Sequence, residues 1–143
     1  MLAMILALAA AATAAPGCAD AIRYDLDRAA FRTDGSNRPI PVARLEPFRA
    51  RAAKAFREAA DGLCAGKAIP AAKVARLKRV VIQNGAGATE TQLYRAPEFG
   101  PDSLVFQWAF AEGPLSVPGR RDIERALVCE YHPEHEGCDE PGD

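Results

Sequence analysis

Four cysteines, Cys18, Cys64, Cys129 and Cys138, constrain this chain of 143 residues more than any other feature. An even count in an exported chain favours two disulfides. Four cysteines allow three pairings. Cys129–Cys138 is the local candidate, which leaves Cys18–Cys64 to pin the N-terminal segment to the end of the first helix. A bridge over a long loop and a bridge over a short one then fasten both ends of a single domain.

Export is read from the first residues, MLAMILALAAAATAAPGCADA. An apolar run from Met1 to Ala12 followed by small residues is the pattern of a secretory signal peptide. The run is too short for a membrane-spanning helix, which needs about 20 residues. Residues 1–21 are the expected signal and cleavage zone, with cleavage after Ala14 or Ala15 and a later site at Ala19-Asp20-Ala21. No Lys or Arg precedes the apolar run, which fits either a start lying upstream or an unusually weak n-region. Ala15-Pro16-Gly17-Cys18 also presents a cysteine after a small residue, so a lipid anchor at Cys18 is the alternative use of that thiol. The expected location is periplasmic or secreted.

Residues 22–143 are enough for one domain with a real core. Charge is uneven along them. Residues 22–80 hold 14 Lys/Arg against 6 Asp/Glu, and residues 81–143 hold 4 against 12. The expectation is that the two halves pair across the fold, the alternative being a field that steers a charged partner. The basic half has no aromatic interleaving and no recognisable module, so no nucleic acid is expected as a partner. Fourteen of the eighteen basic residues are Arg, which with abundant Ala suggests a GC-rich bacterial genome.

Ile22, Tyr24 and Leu26 alternate with charged residues, which predicts a half-buried strand. TDGSNRPIP at 33–41 is a turn-rich connection. Residues 46–62 form the clearest helix, with Pro47 at its first position. Phe48, Ala52, Ala55, Phe56, Ala59 and Leu63 make its apolar face, and Gly62 provides a left-handed cap. The basic opposite face reads as a solvated surface rather than a lipid-binding one, because the apolar face is Ala-rich. A short helical piece from Pro70 precedes a strand at 77–83. Asn84-Gly85-Ala86-Gly87 then turns the chain into a hairpin with residues 88–95. It lacks the third Gly and the Lys-Ser/Thr of a phosphate-binding loop. Residues 103–110 are the strongest strand, with Leu104, Phe106, Trp108 and Phe110 on one face. A short helix at 120–131 ends before Pro133. The expected fold class is α+β: two layers, an antiparallel sheet of three to four strands packed on one main amphipathic helix, with a short C-terminal helix and a disulfide-closed tail that is acidic from about residue 130.

CEYHPEHEGC at 129–138 contains both histidines of the chain. Cys129, His132, His135 and Cys138 are all zinc-ligand types, every third residue. Structural zinc sites usually draw ligand pairs from two separated segments, and cysteine ligands must be thiolates. Ten residues with Pro133 inside do not wrap a tetrahedron, and an oxidising compartment favours the disulfide, so no metal is expected. A closed loop would present Tyr131, His132, Glu134, His135 and Glu136 as a pre-ordered binding arch for a protein partner, or act only as a staple for the tail. In this one device, over ten residues, the loop resembles the disulfide-closed, histidine-bearing loop of secreted bacterial lysozyme inhibitors.

No catalytic or cofactor motif is present. Ser36, Ser103 and Ser116 lie outside any G-x-S-x-G context, and the only imidazoles are in the tail loop. The expected function is a small exported noncatalytic binding protein of the inhibitor or immunity type. A structural envelope-accessory domain, lipid-anchored through Cys18, is one alternative. A small hydrolase working through paired carboxylates is the other.

Overall fold

The computed structural model describes residues 17–112 and 115–138. The part of the expected signal zone up to residue 16, with both expected early cleavage points, and the acidic Asp139, Glu140 and Asp143 lie outside the described residues.

Among the described residues four strands form one sheet: β1 (Arg23–Leu26), β2 (Arg79–Asn84), β3 (Gln92–Arg95) and β4 (Ser103–Trp108). The long helix α1 (Val42–Ala65) and the C-terminal helix α3 (Arg120–Tyr131) make the second layer. A single turn of helix, α2 (Ala71–Val74), leads into β2. The α+β class and the two layers are as expected.

The sheet is mixed rather than antiparallel, in the order β1-β2-β4-β3. β1 pairs parallel with β2 and β2 parallel with β4; only β3 runs antiparallel, against β4. Residues 84–95 therefore do not close a hairpin on β2. Burial explains the order. Leu104, Val105 and Phe106 of β4 are fully buried, so β4 takes a central position where both of its faces are covered. β3 is QLYR, mostly exposed, and belongs at an edge. Parallel β1 and β2 follow from the α1 crossover between them. The turn residues act as foreseen, although the chain leads elsewhere. Ala88 N–H closes onto Gly85 C=O (3.0 Å), and Gly87 adopts φ +74°. Its N–H donates to the Glu112 carboxylate (2.5 Å).

α1 is longer than expected at both ends. It begins after Pro41 and carries Pro47 inside. Pro47 removes the bond to the Ala43 carbonyl, and Ala43 lies on the exposed side of the helix, where losing an internal bond costs little. At the other end the helix passes through Gly62, and Lys67 rather than Gly62 takes the left-handed conformation (φ 59°). The extension puts Cys64 in the last turn, opposite Cys18, with Cα atoms 6.4 Å apart.

Phe48, Ala52, Phe56 and Ala59 of α1 pack on Val80, Ile82, Leu104 and Phe106. Phe31, Phe48, Phe56, Phe106 and Phe110 form a chain of tilted and edge-to-face ring contacts at 5.3 to 6.1 Å. Such pairs add about 0.5–1.5 kcal/mol each beyond their burial. The other face of the sheet is polar over part of its width. Gln83 donates to Asp27 (3.0 Å) and accepts from Tyr94 and Gln107 (2.8 Å each). Val81 and Val105 are covered there by Ala96 and Phe99.

The expected pairing of the basic and acidic halves does not occur: among the described residues, no ion pair joins residues 22–80 to residues 81–138. Most pairs are short-range, within a helix, strand or loop. Each half's excess charge therefore remains at the surface. No helix among the described residues is long and apolar enough to cross a membrane.

Candidate functional site

α3 begins after Pro118 and buries Ile123, Ala126 and Leu127 against the sheet layer. That packing fixes the helix rotation and so places Cys129 in the last turn. Pro133 stops the helix. The chain turns back through three backbone bonds: His132 N–H to Val128 C=O (2.7 Å), His135 N–H to His132 C=O (2.9 Å) and Cys138 N–H to His135 C=O (3.0 Å). Gly137 supplies the left-handed step (φ +84°) that brings Cys138 to Cys129, Cα to Cα 5.2 Å. Arg125, one helical turn before Cys129, donates to the Gly137 carbonyl (2.8 Å). The return segment is thus held twice by α3, once covalently and once by a guanidinium.

The arch exposes some of the anticipated residues and turns one inward. Glu134, His135 and Glu136 are exposed, and His132 is partly exposed. His132 Nδ1 lies 3.5 Å from Glu134 Oε1, and His135 Nδ1 lies 3.1 Å from the Glu136 carbonyl. Tyr131, by contrast, is half-buried against the core. Burial pushes its phenol up to about 12, and its hydroxyl finds no partner among the described residues. Beside it, Glu130 pairs with Arg95 of β3 (3.5 Å); burial raises its carboxyl and Arg95 opposes that shift. The arch is therefore rooted through Tyr131 and Glu130 and displays its imidazoles and two carboxylates outward. Arg125 and Arg95 were not singled out in the sequence. The i, i+4 spacing from Cys129 points to Arg125, whereas nothing local points to Arg95.

Both cysteines of the arch are consumed by their bridge, so the thiolates of a Cys/His metal set do not exist in this state. Among the described residues no group of three His, Cys, Asp or Glu side chains is arranged to hold a metal ion. The alternative chemistry requires paired carboxylates, and one pair does occur. Asp61 and Asp20 meet beside the Cys18–Cys64 bridge, in an open groove of about 850 Å³ walled mainly by alanines. Burial, then the hydrogen bond and charge of Asp20, raise the Asp61 carboxyl, against the Ala19 N–H and Arg57. Asp20 is close enough to raise the Asp61 carboxyl through its side chain as well as its charge, whereas glycosidase pairs leave about 5 Å or more between the carboxyls. Each also accepts a backbone N–H: Asp61 from Ala19 (2.9 Å), Asp20 from Gly17 (2.6 Å). That bonding fits a brace for the N-terminal turn. The Ser103 hydroxyl is buried and donates to the Phe99 carbonyl (3.2 Å).

Comparison with protein-family models, with curated proteins and with solved structures returns no match for this chain.

Proposed function

We propose that this chain is a small exported noncatalytic binding protein, of the inhibitor or immunity type, that presents the 129–138 arch to a protein partner. One observation carries the reading. The arch is fixed before any partner arrives, by the bridge, three turn bonds and Arg125, and yet it exposes Glu134, His135 and Glu136 and part of His132. A pre-ordered loop loses little entropy on docking. Two disulfides fit a compartment outside the cytoplasm, and periplasmic or secreted placement is the specific form of that reading. Cleavage after Ala14 or Ala15 is favoured over the later site, because Ala19 is fully buried and Cys18 is bridged. That bridge also competes with acylation for the Cys18 sulfur, which weighs against the lipid-anchored envelope role.

The test is partner capture from the extracytoplasmic fraction, comparing wild type with His132→Ala/His135→Ala. The expected outcome is lost capture with an unchanged melting temperature. Unchanged capture with unchanged melting would make the arch a staple and favour the envelope-accessory role.

A further inference from the structure

We propose a second interaction surface, the edge of β1 that no other strand among the described residues covers, as the docking site for an extended acidic peptide segment of a partner protein. The backbone is the first observation. Arg23 and Asp27 turn their N–H groups inward to Lys78 and Ile82 of the β2 side (3.0 and 2.9 Å). Alternation along the strand therefore turns the backbone groups of Tyr24 and Leu26 toward the open edge. Arg49 Nη1 occupies the Tyr24 carbonyl (3.1 Å), which leaves Leu26 to offer both its N–H and its C=O to an added strand.

Charge is the second observation. The edge opens into a cleft of about 550 Å³ that holds four arginines, Arg23, Arg28, Arg49 and Arg79, against two carboxylates, Asp25 and Glu46. Arg23 and Arg79 share a single Asp25 oxygen (3.0 and 2.7 Å), and Arg49 pairs with Glu46. Arg28 has no ion-pair partner among the described residues. The cleft keeps two positive charges in excess, in a guanidinium geometry that matches carboxylates. A second copy of this chain would set the same arginines against each other, so charge selects an acidic partner over self-pairing. Apolar contact is the third observation. Val42, 73% exposed, and Leu45 line the same cleft and offer a wall for the alternate side chains of an added strand. β1 and β3 are opposite edges of the sheet, and the arch is rooted on β3 through Arg95, so the two surfaces are separate.

The experiment is fluorescence anisotropy of a dye-labelled hexapeptide of alternating Glu and Val, with the full bridged protein. Saturable binding is expected, with none for the Lys–Val counterpart. Arg28→Glu should weaken it on the order of tenfold. Val42→Glu, at an exposed position, should weaken it too, and it decides the matter if the Arg28 variant is less stable. N-methylation of alternate peptide amides should abolish binding. Three outcomes would overturn the proposal: no saturable binding, equal binding of the N-methylated peptide, or full competition by free glutamate at the same carboxylate concentration. The last two would leave an anion site without strand pairing.

Discussion

Asp61 shows how one side chain makes a fold respond to pH. Its carboxyl is raised in the folded protein by burial and by Asp20, so the native state holds the proton more tightly than the unfolded chain does. Below the ordinary Asp value, about 3.9, both states are protonated and the pair costs nothing. As pH rises from there through the raised folded value, the native state binds more protons than the unfolded one, and stability falls. Asp61→Asn keeps an oxygen for the Ala19 N–H and adds a donor toward Asp20. It should therefore melt above wild type at pH 7, with the difference closing as pH drops below the ordinary Asp value. Melting curves across that range check it; a variant that melts lower at pH 7 would mean the Asp20–Asp61 contact does not strain the native state. A carboxylate pair of this kind leaves no signature in the sequence. Asp20 and Asp61 are 41 positions apart, and only the Cys18–Cys64 bridge and the buried Ala19 bring them together.

The helices illustrate where local signals are sufficient. The apolar spacing of Phe48, Ala52, Phe56 and Ala59 defined the buried face of α1, and all four are fully buried. The C-terminal boundary was misplaced by three residues. Gly62 is a strong local stop, but Leu63 packs on the core and Cys64 is bridged, so tertiary contacts carry the helix past it. The cost appears at Lys67, a residue with a Cβ in the left-handed region. Lys67→Gly should raise stability by about 1 kcal/mol, a gain that denaturant titration resolves. No gain would mean that the Lys67 side chain makes compensating contacts. The arch is the opposite case. Cys129, Pro133, Gly137 and Cys138 are all local, and their closure was legible in the sequence. The inward turn of Tyr131 was not, because it depends on where α3 lies against the sheet.

At the scale of the molecule, the two bridges differ in what they close. Cys18–Cys64 spans 46 positions and Cys129–Cys138 spans 9. Loop-closure entropy gives about 4 kcal/mol for the first and about 3 kcal/mol for the second. Replacing each pair by Ser should lower the denaturant midpoint more for Cys18/Cys64 than for Cys129/Cys138. The reverse order would show that the unfolded chain keeps its ends together without the long bridge. Hydropathy periods and cysteine count determined by themselves that this chain is α+β, with one main amphipathic helix and a closed C-terminal loop, because those features depend on neighbours in the chain. Strand order did not follow from them. β2 and β3 are adjacent in sequence and separated in space, since the more apolar β4 gains more by lying between them, buried on both faces, than the polar β3 would. The same tertiary choice left β1 and β3 as the two edges, and with them decided where an arginine cleft and a rooted arch could form.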